Sequence, residues 1–481
     1  MLKKLSLLFF IFFSSLSLNN CASSSLNPLS ASLTRPGPGI ESNSTASASL
    51  PTAPLWQEDT SQIWLKLVHT PLPTVQTTLT QATDPTVIAW LKLAIMNKQY
   101  SLDTPELIRQ LIHWRQTYPQ HPGNALFPND SLLTQLLNTP APKKIALLLP
   151  LQGRFASQGI AVRDGFLAAY YDALTKTHAQ QTLSFYDTNQ NLPISALYQQ
   201  AQDQGADIIM GPLLKENVQE LSRQGNPPIP TLTLNYVESW FGFSEANFYQ
   251  FGLSPFDEAL QVADKAYQAG YSHALIIAPQ TEWGQRVSKA LTQRWELLGG
   301  KISDRYDVTP QSDLNLDIAH LMHINPQEDQ LKMQEDNDKQ TLAQQRRQDF
   351  DVIFLLVPPE TAREIIPLLK YYYADTIPIY STSIIYSGIP SPIKDMDLNG
   401  VIFCDIPWIL NLANTSSVKS KDKFNRLYAV GQDAYLLSSN LARLKLLPNF
   451  PLYAETGALT LNSQQQIYRQ LPWVKMRNGR V

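Results

Sequence analysis

The stretch from Lys143 to Asp172, KKIALLLPLQGRFASQGIAVRDGFLAAYYD, limits what this chain can fold into more than any other. Ile145 to Leu149 is a continuous apolar run, the pattern of a strand buried on both faces. Pro150 to Gly159 supplies turn residues and small side chains. A helix then follows, with Ser157 expected as its N-cap. Val162, Phe166, Ala169 and Ala173 share one face of it, flanked by Ile160, Leu167, Tyr170 and Leu174. An apolar face that wide packs against a sheet. Strand, loop and buried helix together predict an α/β unit.

The same rhythm continues. Strands are expected at Leu183–Tyr186, Asp207–Met210 and Pro230–Asn235, with helices at Ile194–Gln204 and Lys215–Gln224 between them. Phe251 to Pro255 reads as a crossing segment, after which the alternation restarts. Helices are expected at Phe256–Ala269, Trp283–Leu298, Leu314–Ile324 and Glu360–Tyr372. Strands are expected at Ala274–Ala278, Ile302–Val308, Val352–Val357 and Ile377–Ser381. Such alternation implies parallel sheets with helices on both faces, and the restart implies two lobes. The expected division places lobe 1 at about 143–255 and 378–447, and lobe 2 at about 256–377 and 448–481. Lys423–Leu447 reads as one long helix and Thr456–Arg477 as a hairpin or short sheet. Asn325–Asp349 is charged and glutamine-rich, the composition of a solvated helix or inserted loop.

The residues before Lys143 look like delivery and spacing. Lys3-Lys4 and the apolar core Leu5–Leu18 form a secretory signal pattern. Cys21 closes it, as the lipidated residue of a lipoprotein signal (1–21) does, although Asn20 stands where Gly, Ala or Ser is usual. Residues 22–54 are rich in Ser, Pro and Thr and are expected to be a disordered tether. Residues 55–140 read as a small helical domain. Asp84-Pro85 and Thr104-Pro105 are start signals, and Leu107, Leu111, Trp114 and Tyr118 lie on one core stripe.

At 481 residues the chain holds two or three domains. A net charge of −3 gives no bulk basicity of the kind a nucleic-acid partner demands. The chain has two cysteines, so there is one disulfide at most; Cys404, in VIFCDIPW, reads as a buried, inert thiol.

Catalytic spacings are missing. There is no G-x-S-x-G, Walker loop, H-E-x-x-H or G-x-G-x-x-G. His320 and His323 have no carboxylate or cysteine cluster to complete a metal site. Ser416–Lys419 and Ser391–Lys394 fit S-x-x-K, and Ser438-Ser439-Asn440 mimics S-x-N. Glu455-Thr456-Gly457 then puts an acid where penicillin-interacting enzymes need lysine. No metal, cofactor or catalytic residue is expected. What remains is a cleft at the carboxyl ends of the strands. Its expected residues are Gln152, Phe155, Ser157, Gly211, Asn235, Glu282 and Trp283. A small-molecule ligand there is left open, since the same residues can simply close turns and cap helices.

The opening stretch, with DIIMGPLLKENVQEL, IPTLTLNY, RRQDFDVIFLLVPPETAREIIPLLKYYYA and TGALTLNSQQQIYRQLPWVKMRNG, resembles the LpoA family of penicillin-binding protein activators. The resemblance covers about Lys143 to Val481. It implies a two-lobed type I periplasmic binding-protein-like domain with parallel sheets, preceded by a small all-α domain like a shortened set of tetratricopeptide repeats. It also implies a non-enzymatic outer-membrane lipoprotein, anchored to lipid through Cys21 and facing the periplasm. Its partner would be a class A bifunctional penicillin-binding protein, whose transpeptidase crosslinking it stimulates. The alternatives are a solute-binding protein for an amino acid or muropeptide, and an enzyme acting on cell-wall material.

Overall fold

The computed structural model describes residues 56, 59–177, 181–190, 192–237, 247–325, 346–413 and 424–481. The expected signal peptide, Cys21 and the tether lie outside the described residues. So do Ser416–Lys419 and most of the charged stretch after Asn325.

The N-terminal part is helical: α1 (Thr60–His69), α2 (Leu72–Gln81), α3 (Pro85–Gln99), α4 (Thr104–Thr117) and α5 (Asp130–Leu137). The start signals act as expected. Asp84 Oδ1 accepts from Thr86 N at 2.7 Å and Val87 N at 3.1 Å, with Pro85 at the first helical position. Leu107, Leu111 and Trp114 are buried in the core.

The first sheet runs in the order β2-β1-β3-β4-β5, all parallel. It contains β1 (Lys144–Leu149), β2 (Thr182–Asp187), β3 (Ile208–Met210), β4 (Thr231–Thr233) and β5 (Phe248–Gln250). β1 is buried from Ile145 to Leu149, as its unbroken apolar run requires. One face carries α6 (Ala156–Thr177), with Val162 and Phe166 fully buried. The other carries α7 (Ile194–Asp203) and α8 (Lys215–Ser222). Ser157 is not the N-cap. A 3-10 turn at Gly153–Phe155 runs straight into the helix at Ala156, so Ser157 already lies inside the first turn. Gly153 has φ +72°, a value that favours glycine, and this lets the chain leave β1 and wind directly.

The second sheet runs β14-β10-β9-β8-β6-β7. Its strands are β6 (His273–Pro279), β7 (Lys301–Val308), β8 (Val352–Leu355), β9 (Ile379–Ser381), β10 (Ile402–Cys404) and β14 (Trp473–Lys475), of which only β14 is antiparallel. Its helices are α9 (Pro255–Gln268), α10 (Glu282–Leu297), α11 (Leu314–Leu321), α12 (Pro359–Tyr371) and α13 (Pro407–Ala413). This corrects the expected division of the lobes. Residues 378–413 belong with the second lobe, because β9 and β10 pair there.

The chain then returns to the first lobe with α14 (Asn425–Ser438), which lies along α6, and α15 (Leu441–Leu446). The long helix expected over Lys423–Leu447 is therefore two, broken at Ser439-Asn440. β11 (Leu452–Ala454), β12 (Gly457–Leu461) and β13 (Ile467–Gln470) form a three-stranded antiparallel sheet. Leu452, Leu459 and Ile467 enter the first lobe's core, so most of 448–470 also changes lobe relative to expectation.

The helical part does not close its own core. Leu447 and Phe450 complete it from the far end of the chain. Phe450 packs on Trp64, ring centroids 4.9 Å apart, and on Phe127 at 5.6 Å. Polar groups line the seam. Trp64 Nε1 donates to Asn449 O at 2.6 Å, Thr104 Oγ1 to Asn440 Oδ1 at 2.6 Å, and Arg443 Nη1 to Ser101 O. Lys98 Nζ donates to Val68 O at 2.5 Å and Tyr453 Oη at 3.0 Å, 4.7 Å from the Tyr453 ring centroid.

Burial pushes the Lys98 ammonium down from 10.5 to about 7. The folded chain thus holds this proton less tightly than the unfolded chain. Stability contributed here rises with pH between about 7 and 10.5, and the cost is fully present below pH 7. His69, lowered by burial and then by the neighbouring Lys98 charge, adds a cost in acid. Lys98→Met removes the buried charge along with two hydrogen bonds. We expect it to stabilise the protein by about 1–3 kcal/mol at pH 6 and to lose that advantage by pH 10. Urea unfolding of both proteins across this range is the measurement; a constant difference refutes it.

Candidate functional site

The expected cleft residues lie just beyond the carboxyl ends of β1, β3, β4 and β6, on loops, a 3-10 turn and first helical turns, and most are engaged locally. Gln152 and Ser157 are exposed on the turn and first helical residues after β1. Phe155 is half-buried, with the Arg154 guanidinium 5.3 Å from its ring centroid. Gly211 is buried at the end of β3, with φ +105° and a cis bond to Pro212. A Cβ there would meet Leu148 O at 2.2 Å, so the position accepts only glycine. Asn235 spends its amide on its surroundings: Nδ2 donates to Leu213 O at 3.1 Å, and Oδ1 accepts from Tyr236 N at 2.9 Å.

From the second lobe, Glu282 is exposed and pairs with Arg286 at 3.4 Å. Trp283 packs against the second lobe's own core. No described hydrogen bond or ion pair joins Glu282 or Trp283 to the first-lobe residues. A groove of about 690 Å³ opens beside α10 and β7, lined by Ile276, Gln285, Lys289 and Arg305, and none of the expected cleft residues lines it.

The sequence reading missed Asp187, at the end of β2. Its Oδ1 accepts from Leu151 N at 2.8 Å and Asn189 N at 3.0 Å, while Oδ2 is buried without a partner. Among the described residues no group of three or more His, Cys, Asp or Glu side chains is placed to hold a metal. Cys404 is a free, buried thiol, pushed well up by burial. Ser438 Oγ, part of the S-x-N mimic, donates to Tyr435 O at 2.7 Å inside its own helix.

The chemistry concentrates instead where the chain crosses between lobes. Glu258, on α9, is buried and accepts from Ser383 N at 3.1 Å and Ser383 Oγ at 2.7 Å. Its other oxygen lies 3.7 Å from Arg469 Nη2, on β13. Both side chains are almost wholly buried. Burial raises the Glu258 carboxyl, opposed by the Arg469 charge. Gln261 clasps the same strand, donating to Arg469 O at 3.0 Å and accepting from Leu471 N at 2.9 Å. Arg426, at the start of α14, forms a fork with Asp405 beyond β10, at 3.0 and 2.5 Å. Trp408 and Tyr428 stack across the same gap at 5.4 Å. Within the first lobe, Asp433 accepts from Glu455 N, Thr456 N and Thr456 Oγ1 at 2.6–3.0 Å, and burial pushes its carboxyl up to about 7. Buried, directional bonds from Glu258, Gln261 and Arg426 join the two lobes at this crossing.

Two parallel-sheet lobes joined by crossing strands, with a helical part sharing the first lobe's core, define a type I periplasmic-binding-protein-like body. The chain belongs to the lipoprotein family described as "LppC putative lipoprotein", whose model matches residues 45–479. A relative from Vibrio vulnificus, named penicillin-binding protein activator LpoA, is 30% identical over 82% of this chain and 67% of its own length. A relative of the same name from Photobacterium profundum is 28% identical over 81% of this chain, which spans 65% of that protein's length. Among solved structures, the LpoA (YraM) C-domain from Haemophilus influenzae, described as a regulator of PBP1A, matches with a TM-score of 0.55. It is 25% identical over 70% of this chain and 98% of that one.

Proposed function

We propose that this protein binds a class A bifunctional penicillin-binding protein and stimulates its transpeptidase crosslinking, as a regulator rather than an enzyme. The family match over nearly the whole described chain carries this reading, since the relatives it joins are named as activators. The bracing between the lobes supports it. A solute-binding protein works by opening and closing on its ligand, whereas a braced body presents a fixed surface. Such a surface shifts a partner toward its active conformation by binding that conformation more tightly. Cys21 is the proposed lipid anchor, holding the body at the periplasmic face of the outer membrane, and the segment 22–54 gives it reach. The helical part is proposed as a shortened relative of tetratricopeptide repeats.

The test is a crosslinking assay with a purified class A synthase from the same cell and the full chain in detergent. Crosslinked product should rise several-fold. An unchanged rate, or thermal stabilisation of the chain by a free amino acid, counts against the activator reading. Release of soluble fragments from peptidoglycan by the chain alone would revive an enzymatic one.

A further inference from the structure

An edge strand presents a row of backbone N–H and C=O groups that can pair with another strand. Folded proteins guard such edges with short length, proline, charge or bulges. The two large sheets have four edges among the described residues. β5 is closed: Gln250 N donates to Gln465 O at 3.0 Å, and Gln250 bridges to Gln466. β14 is three residues long, preceded by Pro472 and ending on Lys475. β7 carries Lys301, Asp304, Arg305 and Asp307, and its pairing is irregular at Ala274/Leu275. The segment before β8 also ties it down. Ser303 Oγ donates to Asp349 O at 2.5 Å, and Arg347 Nη1 to Asp304 Oδ2 at 2.7 Å.

β2 has none of these guards. It is six residues long, TLSFYD, paired to β1 in unbroken register. Asp187 is its only charge, and that side chain is buried and turned onto Leu151 and Asn189. Thr182 N and Thr188 N donate inward, to Lys143 O and Leu149 O. Alternation along the strand then turns the N–H and C=O of Leu183 and Phe185 outward. No described hydrogen bond takes up these groups. Phe185 stands on the α6 side of the sheet, 38% exposed. Tyr171, 58% exposed, has its ring centroid 5.2 Å from that of Tyr170, whose Oη donates to Gln181 O at 3.1 Å just before β2.

We infer that β2 is a docking edge, and that its occupant is an extended, uncharged segment of the class A penicillin-binding protein, added as a sixth strand. This rests on the activator reading above. The backbone row selects an extended segment, and pockets beside it read alternate side chains. Charge selects an uncharged one: the exposed part of the edge carries no formal charge, and the exposed charges Asp172 and Lys176 on α6 pair with each other at 2.7 Å. Size argues against self-pairing. A strand of this length covers a strip roughly 20 Å long and about 5 Å wide, about 100 Å², well below the ~800 Å² per partner of a stable interface. The occupant therefore belongs to a partner that also holds on elsewhere.

The experiment compares the full chain with Phe185→Lys, which adds a guarding charge on a residue whose N–H does not serve β1. Tyr171→Lys lies outside the sheet and cannot disturb strand pairing. Lys301→Ala, on the guarded edge, is the control. Binding to the purified synthase is measured by surface plasmon resonance, alongside the crosslinking assay and thermal midpoints. Phe185→Lys and Tyr171→Lys should each weaken binding at least tenfold with midpoints near the parent's, and Lys301→Ala should bind as the parent does. If Phe185→Lys misfolds, Tyr171→Lys decides. Parent-like binding by the folded variants overturns the docking edge and leaves the activator reading standing. A parent chain that neither binds nor stimulates overturns both. Sedimentation showing that the variants dissolve a dimer of this chain, with synthase binding intact, assigns the edge to a second copy and also overturns the inference.

Discussion

Gly431→Ala lowers the unfolding free energy by roughly 2–4 kcal/mol, and Gly431→Leu abolishes stable folding of the first lobe. The direction is informative, because alanine in place of a helix-interior glycine ordinarily stabilises by up to about 1 kcal/mol. Here α14 lies directly on α6. A Cβ at Gly431 would sit 2.0 Å from Val162 O and 2.8 Å from Phe166 N, and one at Gly165 would sit 1.9 Å from Tyr428 O. The obstacles are backbone atoms, so no rotamer relieves them and the helices must separate. Separation uncovers Val162, Phe166, Val430, Ala434 and Leu437, all buried in the same core. Chemical unfolding of Gly431→Ala and Gly165→Ala is the measurement, and stabilisation by either one refutes the close crossing.

The second large effect is expected at the lobe crossing. Glu258→Ala removes the carboxylate paired with buried Arg469, leaving it only the Asp257 charge, and removes the acceptor for Ser383 N and Ser383 Oγ. Breaking a buried pair from one side costs about 3–5 kcal/mol. Replacing both partners, as in Glu258→Leu with Arg469→Met, should recover most of that loss, because neither charge is then stranded. A spin-label pair spanning the lobes distinguishes bracing from mere stability. The distance distribution should broaden in Glu258→Ala at temperatures where the protein stays folded. A distribution as narrow as the parent's means that the remaining bonds, Arg426 to Asp405 and Gln261 to Leu471, suffice.

What the sequence revealed follows from the range over which each signal acts. β1 and the core stripe of α4 were legible because burial leaves a periodic apolar pattern within a few residues. The break between α14 and α15 was readable but misread. Ser438-Ser439-Asn440 drew attention as an enzyme-like triplet, yet it is a helix stop: Asn440 Nδ2 donates back to Leu436 O at 2.7 Å. The lobe boundaries failed because β9, β10 and β14 are three residues each, too short to announce which sheet they join. Asn235 and Trp283, named for the cleft by their chemistry, are held by local hydrogen bonding and core packing that no short-range pattern announces. The Glu258–Arg469 pair spans more than two hundred residues and leaves no periodic trace. One signal was available: Ile467, Arg469 and Leu471 alternate, which puts Arg469 on the inward face, and a buried arginine needs an acid.

The seam beneath the helices also dictates an order of assembly. Trp64 and its hydrogen-bond acceptor Asn449 are 385 residues apart, and Phe450 fills the space between Trp64 and Phe127. A chain emerging from its N-terminus therefore makes the helices first and the plug for their core almost last. Until α15 and the following loop arrive, the helices present an open aromatic face, the kind of surface that chaperones hold and aggregation exploits. Closing so long a loop is slow. Maturation of the helical part is thus expected to coincide with completion of the first lobe, and a chain stopped short of about residue 440 should expose both at once.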